Sequence, residues 1–155
     1  MKEWQDSSQD VTRTFKDKEK AKSLFNMLKE REESMKSFDA VRFPSLSVES
    51  YYEIIKEAIT ALMAVDGYKT LSHEVLVGYL KYFHKEFSEY EITFIDNLRK
   101  IRNRINYDGF NVPKQYLDIN KQEILAIIAK LKNILESKLK CSKWNANFAA
   151  QRKPH

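Results

Sequence analysis

Three glycines and three prolines are all the chain-breaking residues among 155 positions. Folds made of many short strands need frequent sharp reversals, and glycine and proline supply most of them, so this scarcity leaves long uninterrupted elements as the natural outcome. Between the breaks, apolar side chains recur at three- and four-residue spacing, the period of a helix with one face turned to a core. The expected fold is therefore all-α, an antiparallel bundle of about five helices. A chain of this length buries a sufficient core as one unit, and no tandem period of the solenoid type is present.

The breaks divide the chain. Ala21, Leu24, Phe25, Leu28, Met35 and Phe38 mark a first amphipathic helix. Phe43-Pro44-Ser45-Leu46-Ser47 reads as a turn, with proline restricting the preceding residue and the serines available as caps. A second helix is expected from about Val48 to Val65. Because it is apolar over more than one stripe, it should be the most buried element. Asp66-Gly67 closes it, and Leu71, Val75, Leu76, Tyr79, Leu80 and Phe83 mark a shorter third helix ending before Glu86 or Phe87. Ser88 and Glu91 have capping-box spacing and open a fourth helix. Its inward residues are expected to be Phe94, Ile95, Leu98, Ile101 and Ile105, and it stops near Asp108-Gly109. A long fifth helix follows Asn111-Val112-Pro113 and carries Tyr116, Ile119, Ile124, Ile127, Ile128, Leu131, Ile134, Leu135 and Leu139. The core is expected to draw on Leu24, Phe25, Leu28, Ile55, Ile59, Leu62, Met63, Leu76, Leu80, Leu98, Ile101, Ile105, Ile128 and Leu131.

Residues 1–12 read as a polar, loosely held N-terminal extension, 13–140 as the helical domain, and 141–155 as a basic C-terminal tail containing Lys143, Arg152 and Lys153. A formal charge of +5 implies mild attraction to polyanions without the density of an obligate nucleic-acid wrapper. The single Cys141 excludes an intrachain disulfide and a multi-cysteine zinc site, and suits a reducing interior. The first residues lack the apolar core of a secretory signal, and no run of about eighteen apolar residues suggests a membrane span. A cytoplasmic location without membrane attachment is the expectation.

Chemistry concentrates in Leu98-Arg99-Lys100-Ile101-Arg102-Asn103-Arg104-Ile105-Asn106-Tyr107-Asp108-Gly109. On a helix, Arg102 and Asn106 share one face, Arg99 and Asn103 form a second polar pair beside it, and Tyr107 falls near the end. Ile101 and Ile105 are expected to hold the other face in the core. Such a cluster suits phosphate or carboxylate recognition, because an arginine fork makes two directed bonds. The competing role for Arg99, Arg102 and Arg104 is to solvate the outer face and complement the helix C-terminus. His73 and His84 form no recognisable metal-ligand pair; His73, beside Glu74, reads as a helix-start cap or core-edge hydrogen bond, with a ligand or catalytic role as the alternative. No Gly-rich phosphate loop, His-Glu-x-x-His motif or Gly-x-Ser-x-Gly elbow occurs. No cofactor or metal is implied. Tyr52, Tyr79, Tyr82 and Phe83 stand at helical spacing and read as core or dimer-face residues rather than base-stacking platforms.

Arg102-Asn103 followed by Tyr107-Asp108-Gly109 resembles the signature near the end of the penultimate long helix of HEPN-domain proteins, the higher-eukaryote and prokaryote nucleotide-binding family. Tyr51-Tyr52-Glu53-Ile54-Ile55-Lys56-Glu57-Ala58, Ala64-Val65-Asp66-Gly67-Tyr68 and Ser72-His73-Glu74 are similar to the preceding helices of archaeal and bacterial members. The resemblance implies a helical homodimer that brings two such segments across a shared cleft. It also implies association with RNA or nucleotides, toxin–antitoxin systems, or a nucleotidyltransferase partner. The family's ribonuclease signature is an arginine, a polar residue and then a histidine; Arg102 and Asn103 match its start, and Tyr107 stands in the histidine's place. Tyrosine titrates near 10, so it is a poor base at neutral pH, whereas Arg102 suits stabilisation of an anionic transition state. The motif therefore reads as degenerate. The expected site is Arg102 and Tyr107 for any catalysis, with Arg99, Arg102, Asn103, Asn106 and Tyr107 for ligand binding. Two alternatives stand beside it: a protein-interaction module that pairs with a nucleotidyltransferase or another protein, and an active metal-independent endoribonuclease.

Overall fold

The computed structural model describes residues 1–140, so the basic tail lies outside the described residues. Five helices make up most of the described chain: α1 (Lys18–Met35), α2 (Pro44–Asp66), α3 (His73–Phe83), α4 (Glu89–Asp108) and α5 (Gln115–Lys140). Helix α2 touches each of the other four. Thirteen of its 23 residues are buried, from Ser47 to Val65, which accounts for an apolar pattern wider than one stripe. Of the fourteen positions expected in the core, all but Leu24, Ile101 and Ile105 are buried, and those three pack partly against it.

Local chemistry sets most helix ends. Ser88 Oγ accepts from the Glu91 amide at 3.2 Å while the Glu91 carboxylate accepts from the Ser88 amide at 2.8 Å, so both partners of the capping box are engaged. Gly67 ends α2 at φ 82°, a left-handed conformation that a Cβ disfavours, and a Cβ there would meet the Thr14 carbonyl oxygen at 2.9 Å. The start of α2 departs from expectation. Pro44 opens the helix instead of separating two, because the first turn has no use for the amide that proline lacks. The serines do not cap it: Ser47 Oγ donates back to the Phe43 carbonyl, and Ser45 Oγ accepts from the Val112 amide at 2.8 Å, tying the α4–α5 connection to α2.

A small antiparallel ribbon joins β1 (Val11–Arg13) to β2 (Tyr68–Thr70), with Thr12 opposite Lys69. The first twelve residues are thus packed, not loosely held. Trp4 meets Tyr68, Tyr79 and Phe83 edge-on at centroid distances of 5.1, 5.6 and 5.3 Å, and Ser7 is fully buried. The segment lies so close over α3 that a Cβ on Gly78 would fall 2.1 Å from the Lys2 carbonyl oxygen. Gly78→Ala is therefore expected to cost about 1–3 kcal/mol and to lift residues 1–8 away from α3. A red shift of Trp4 emission, read in a Trp144→Phe background, measures it.

Two apolar assignments change. Ile119 is 78% exposed while Leu117 is buried. Leu117, Ile124 and Leu131 repeat at seven residues and share a stripe, whereas Ile119 is turned roughly 140° from Ile124. Leu71 precedes α3 and is 91% exposed. Tyr52 and Tyr79 are buried as core residues, but Tyr82 and Phe83 are exposed. His84 is buried with Nε2 at 3.3 Å from the Tyr79 hydroxyl, which donates to Asp66 at 2.5 Å.

Candidate functional site

An open groove of about 420 Å³ runs between the start of α3 and the C-terminal half of α4, lined by Leu71, Ser72, His73, Glu74, Arg99, Arg102, Asn103 and Tyr107. Four of the five expected binding residues line it, and the fifth, the exposed Asn106, does not. Their environments differ sharply.

Arg102 is mostly shielded and anchored to α2. Its Nη2 donates to Glu53 Oε1 at 3.2 Å. With the Asn106 amide turned to satisfy both ends, the side-chain oxygen accepts from Arg102 Nε at 3.2 Å and the nitrogen donates to Glu49 Oε1 at 3.1 Å. Arg102 Nη1 takes part in none of these bonds, and Arg102 is among the residues that line the groove. Glu53 also pairs with Lys56. Burial pushes the Glu53 carboxyl up, but the Lys56 bond and the charges of Lys56, Arg102 and His73 outweigh it and leave Glu53 below the usual carboxylate range. The anchor of Arg102 is thus an ionised carboxylate at neutral pH.

Arg99 is committed to a buried network. It is 5% exposed, and its Nε donates to Asp96 Oδ1 at 3.0 Å while Nη1 reaches Glu74 Oε1 at 3.5 Å. Asp96 is 6% exposed and also receives Lys100 at 3.1 Å and the Met1 amino group at 3.3 Å. Arg104 lies against a different partner, with its guanidinium 3.8 Å from the Phe110 ring centroid. Asn103 is half-buried, and Tyr107 is 79% exposed at the mouth of the groove.

His73, which the spacing along α4 could not reveal, shares this groove. Its Nδ1 lies 3.2 Å from the Tyr52 hydroxyl, so a core tyrosine fixes the ring. This is the core-edge hydrogen bond expected for His73, now in the company of Arg102. Desolvation, followed by the charges of Lys56 and Arg102, holds the imidazole below the ordinary histidine value, with Glu53 opposing in part. Burial keeps the Tyr52 phenol protonated well above its usual range. The groove therefore holds a neutral, oriented imidazole near a fixed guanidinium. The local signal was only a histidine after Ser72 at a helix start, and no residue in that segment announces Arg102 as its neighbour.

Among the described residues, no three His, Cys, Asp or Glu side chains gather as a metal site, and no helix is long and apolar enough to cross a membrane. Compared with protein-family models, with curated proteins and with solved structures, the chain matches none of them.

Proposed function

We propose that this chain is a dimeric, HEPN-like protein that binds RNA or nucleotides through the groove centred on Arg102, with a ribonuclease motif that lacks its own α4 histidine. The observation that carries the reading is the fixing of Arg102: Glu53 and Asn106 hold two of its nitrogens, and the residue lines a polar groove. A guanidinium held in place loses little freedom when it meets a phosphate, and it offers directed bonds that a mobile lysine cannot.

Single-stranded RNA and nucleotides titrated at low and moderate salt test it. Arg102→Ala is expected to weaken binding about tenfold to a hundredfold, the worth of a charge-assisted hydrogen bond, whereas the exposed Lys114→Ala changes it little. Helix content should be retained by both variants. Equal affinities for folded wild type and Arg102→Ala would remove the ligand from this groove.

A second reading, docking of a protein partner such as a nucleotidyltransferase, is favoured by a different observation. Leu71 and Tyr107, 91% and 79% exposed, flank the groove with apolar surface, and Glu53 already neutralises Arg102. Light scattering at high micromolar concentration bears on the dimer: a monomer there would count against the homodimeric arrangement.

A further inference from the structure

A second open groove, of about 440 Å³, is formed by the N-terminal segment, the β1–β2 ribbon and α3, and it shares no lining residue with the Arg102 groove. Trp4, Arg13, Tyr68 and Tyr82 line it, the three residue types that dominate binding hot spots. Packing fixes the rings before any ligand arrives. Trp4 is wedged edge-on among Tyr68, Tyr79 and Phe83, and Tyr82 meets Phe83 edge-on at 4.8 Å between centroids. Aromatic side chains already held in place lose little freedom on binding. Their polar ends are unspent. The Trp4 indole N–H and the Tyr68 and Tyr82 hydroxyls make no hydrogen bond among the described residues; the Trp4 and Tyr68 groups are not sealed from water, and Tyr82 is 44% exposed. Arg13 is exposed on β1, with its guanidinium 5.8 Å from the Tyr68 ring centroid. It has no ion pair among the described residues and is the one charged residue of the lining.

We propose that this groove binds an extended, proline-rich peptide that carries an acidic residue. The surface combines held aromatic rings, unpaired donors and one unpaired positive charge, and such a peptide is its complement in each respect. Proline fixes φ, so the ligand enters as a preformed polyproline II helix and gives up little entropy on docking. That helix has no internal hydrogen bonds and proline has no amide N–H, so the ligand is rich in free carbonyl acceptors and poor in donors. The pyrrolidine rings pack against Trp4, Tyr68 and Tyr82 as they do in aromatic-lined peptide grooves generally, while the indole N–H and the phenol hydroxyls donate to the carbonyls. Arg13 selects the acidic side chain, because a guanidinium fork pairs with a carboxylate through two directed bonds. A single positive charge in the lining serves one carboxylate and offers little to a polyanion.

The test uses the full chain with Trp144→Phe, so that Trp4 is the only tryptophan and reports alone. The probe is a synthetic peptide of mostly proline with one glutamate and no aromatic residue, beside a counterpart with alanine for proline and another with lysine for glutamate. The proline–glutamate peptide is expected to shift Trp4 emission to the blue in a saturable way, and the alanine counterpart to leave it unmoved. Tyr82→Ala should weaken binding about tenfold to thirtyfold, the effect of removing a hot-spot aromatic. Arg13→Glu should exchange the preference, so that the lysine peptide binds more tightly than the glutamate one. If Tyr82→Ala loses helix content, Tyr82→Phe keeps the ring, removes the donor and should still weaken binding. No response to the proline–glutamate peptide, an equal response to its alanine counterpart, or unchanged affinity in the folded Tyr82 and Arg13 variants overturns the proposal. A Trp4 shift produced by single-stranded RNA and by none of the peptides overturns it as well, and assigns the groove to nucleic acid.

Discussion

Asp96→Ala is expected to destabilise the protein by about 3–5 kcal/mol, measured by urea unfolding near neutral pH. Asp96 is the acceptor that Arg99, Lys100 and the Met1 amino group share on the buried side of α4. Removing it leaves the Arg99 guanidinium, 5% exposed, with only the more distant Glu74 at 3.5 Å, and an uncompensated buried charge is what makes such losses large. Lys100, which is exposed, simply returns to water. The paired substitution Asp96→Leu with Arg99→Met removes both charges and is expected to be milder than Asp96→Ala alone. The effect also depends on pH. Burial pushes the Asp96 carboxyl up, but bonds from Lys100, Arg99 and the amino terminus outweigh it, and the folded value lies below the ordinary 3.8. A carboxyl depressed on folding stabilises above its unfolded value, and that stabilisation is lost as pH falls from there through the folded value. Wild type should therefore lose stability below about pH 4 from this group, and Asp96→Ala should lack that component.

Leu62→Ala is expected to cost about 2–5 kcal/mol, whereas Ile119→Ala should stay within about 0.5 kcal/mol. Leu62 is fully buried in α2, at the element that touches every other helix, so truncation removes apolar area from the core and leaves a void its neighbours fill only in part. Ile119 carries the same kind of side chain on α5 but lies off its buried stripe, is 78% exposed and has little burial to lose. Equal losses at the two sites in chemical denaturation would place α5 in a different rotation about its axis.

Much of the fold was legible because its causes are local. The Ser88 and Glu91 capping box, the glycines that end α2 and α4 at φ 82° and 63°, and the stripe of α5 through Ile124, Ile128, Leu131 and Leu135 each lie within a few residues of one another. The pattern is ambiguous where one helix turn stands alone: Ile119 is apolar but turned away from the α5 stripe, and the proline of Phe43-Pro44 suits a first turn as well as a break.

The sequence by itself determined that the chain is helical, where most helices begin and end, and that α4 carries a polar run of Arg99, Arg102, Asn103, Asn106 and Tyr107. Propensity, capping and periodicity act over one or two turns, so a linear pattern contains them. Only the tertiary structure decided how those residues are used. Arg99 and Arg102 have the same side chain on the same helix, yet Arg99 is spent on Asp96 under the N-terminal segment while Arg102 is fixed by Glu53 from 49 positions away. The pairing of residues 11–13 with 68–70, and the groove that His73 and Arg102 both line, likewise join segments distant in sequence. Such contacts depend on how helices pack together, and the same i,i+3 charge pair reads identically on an exposed helix and a buried one until packing excludes the water.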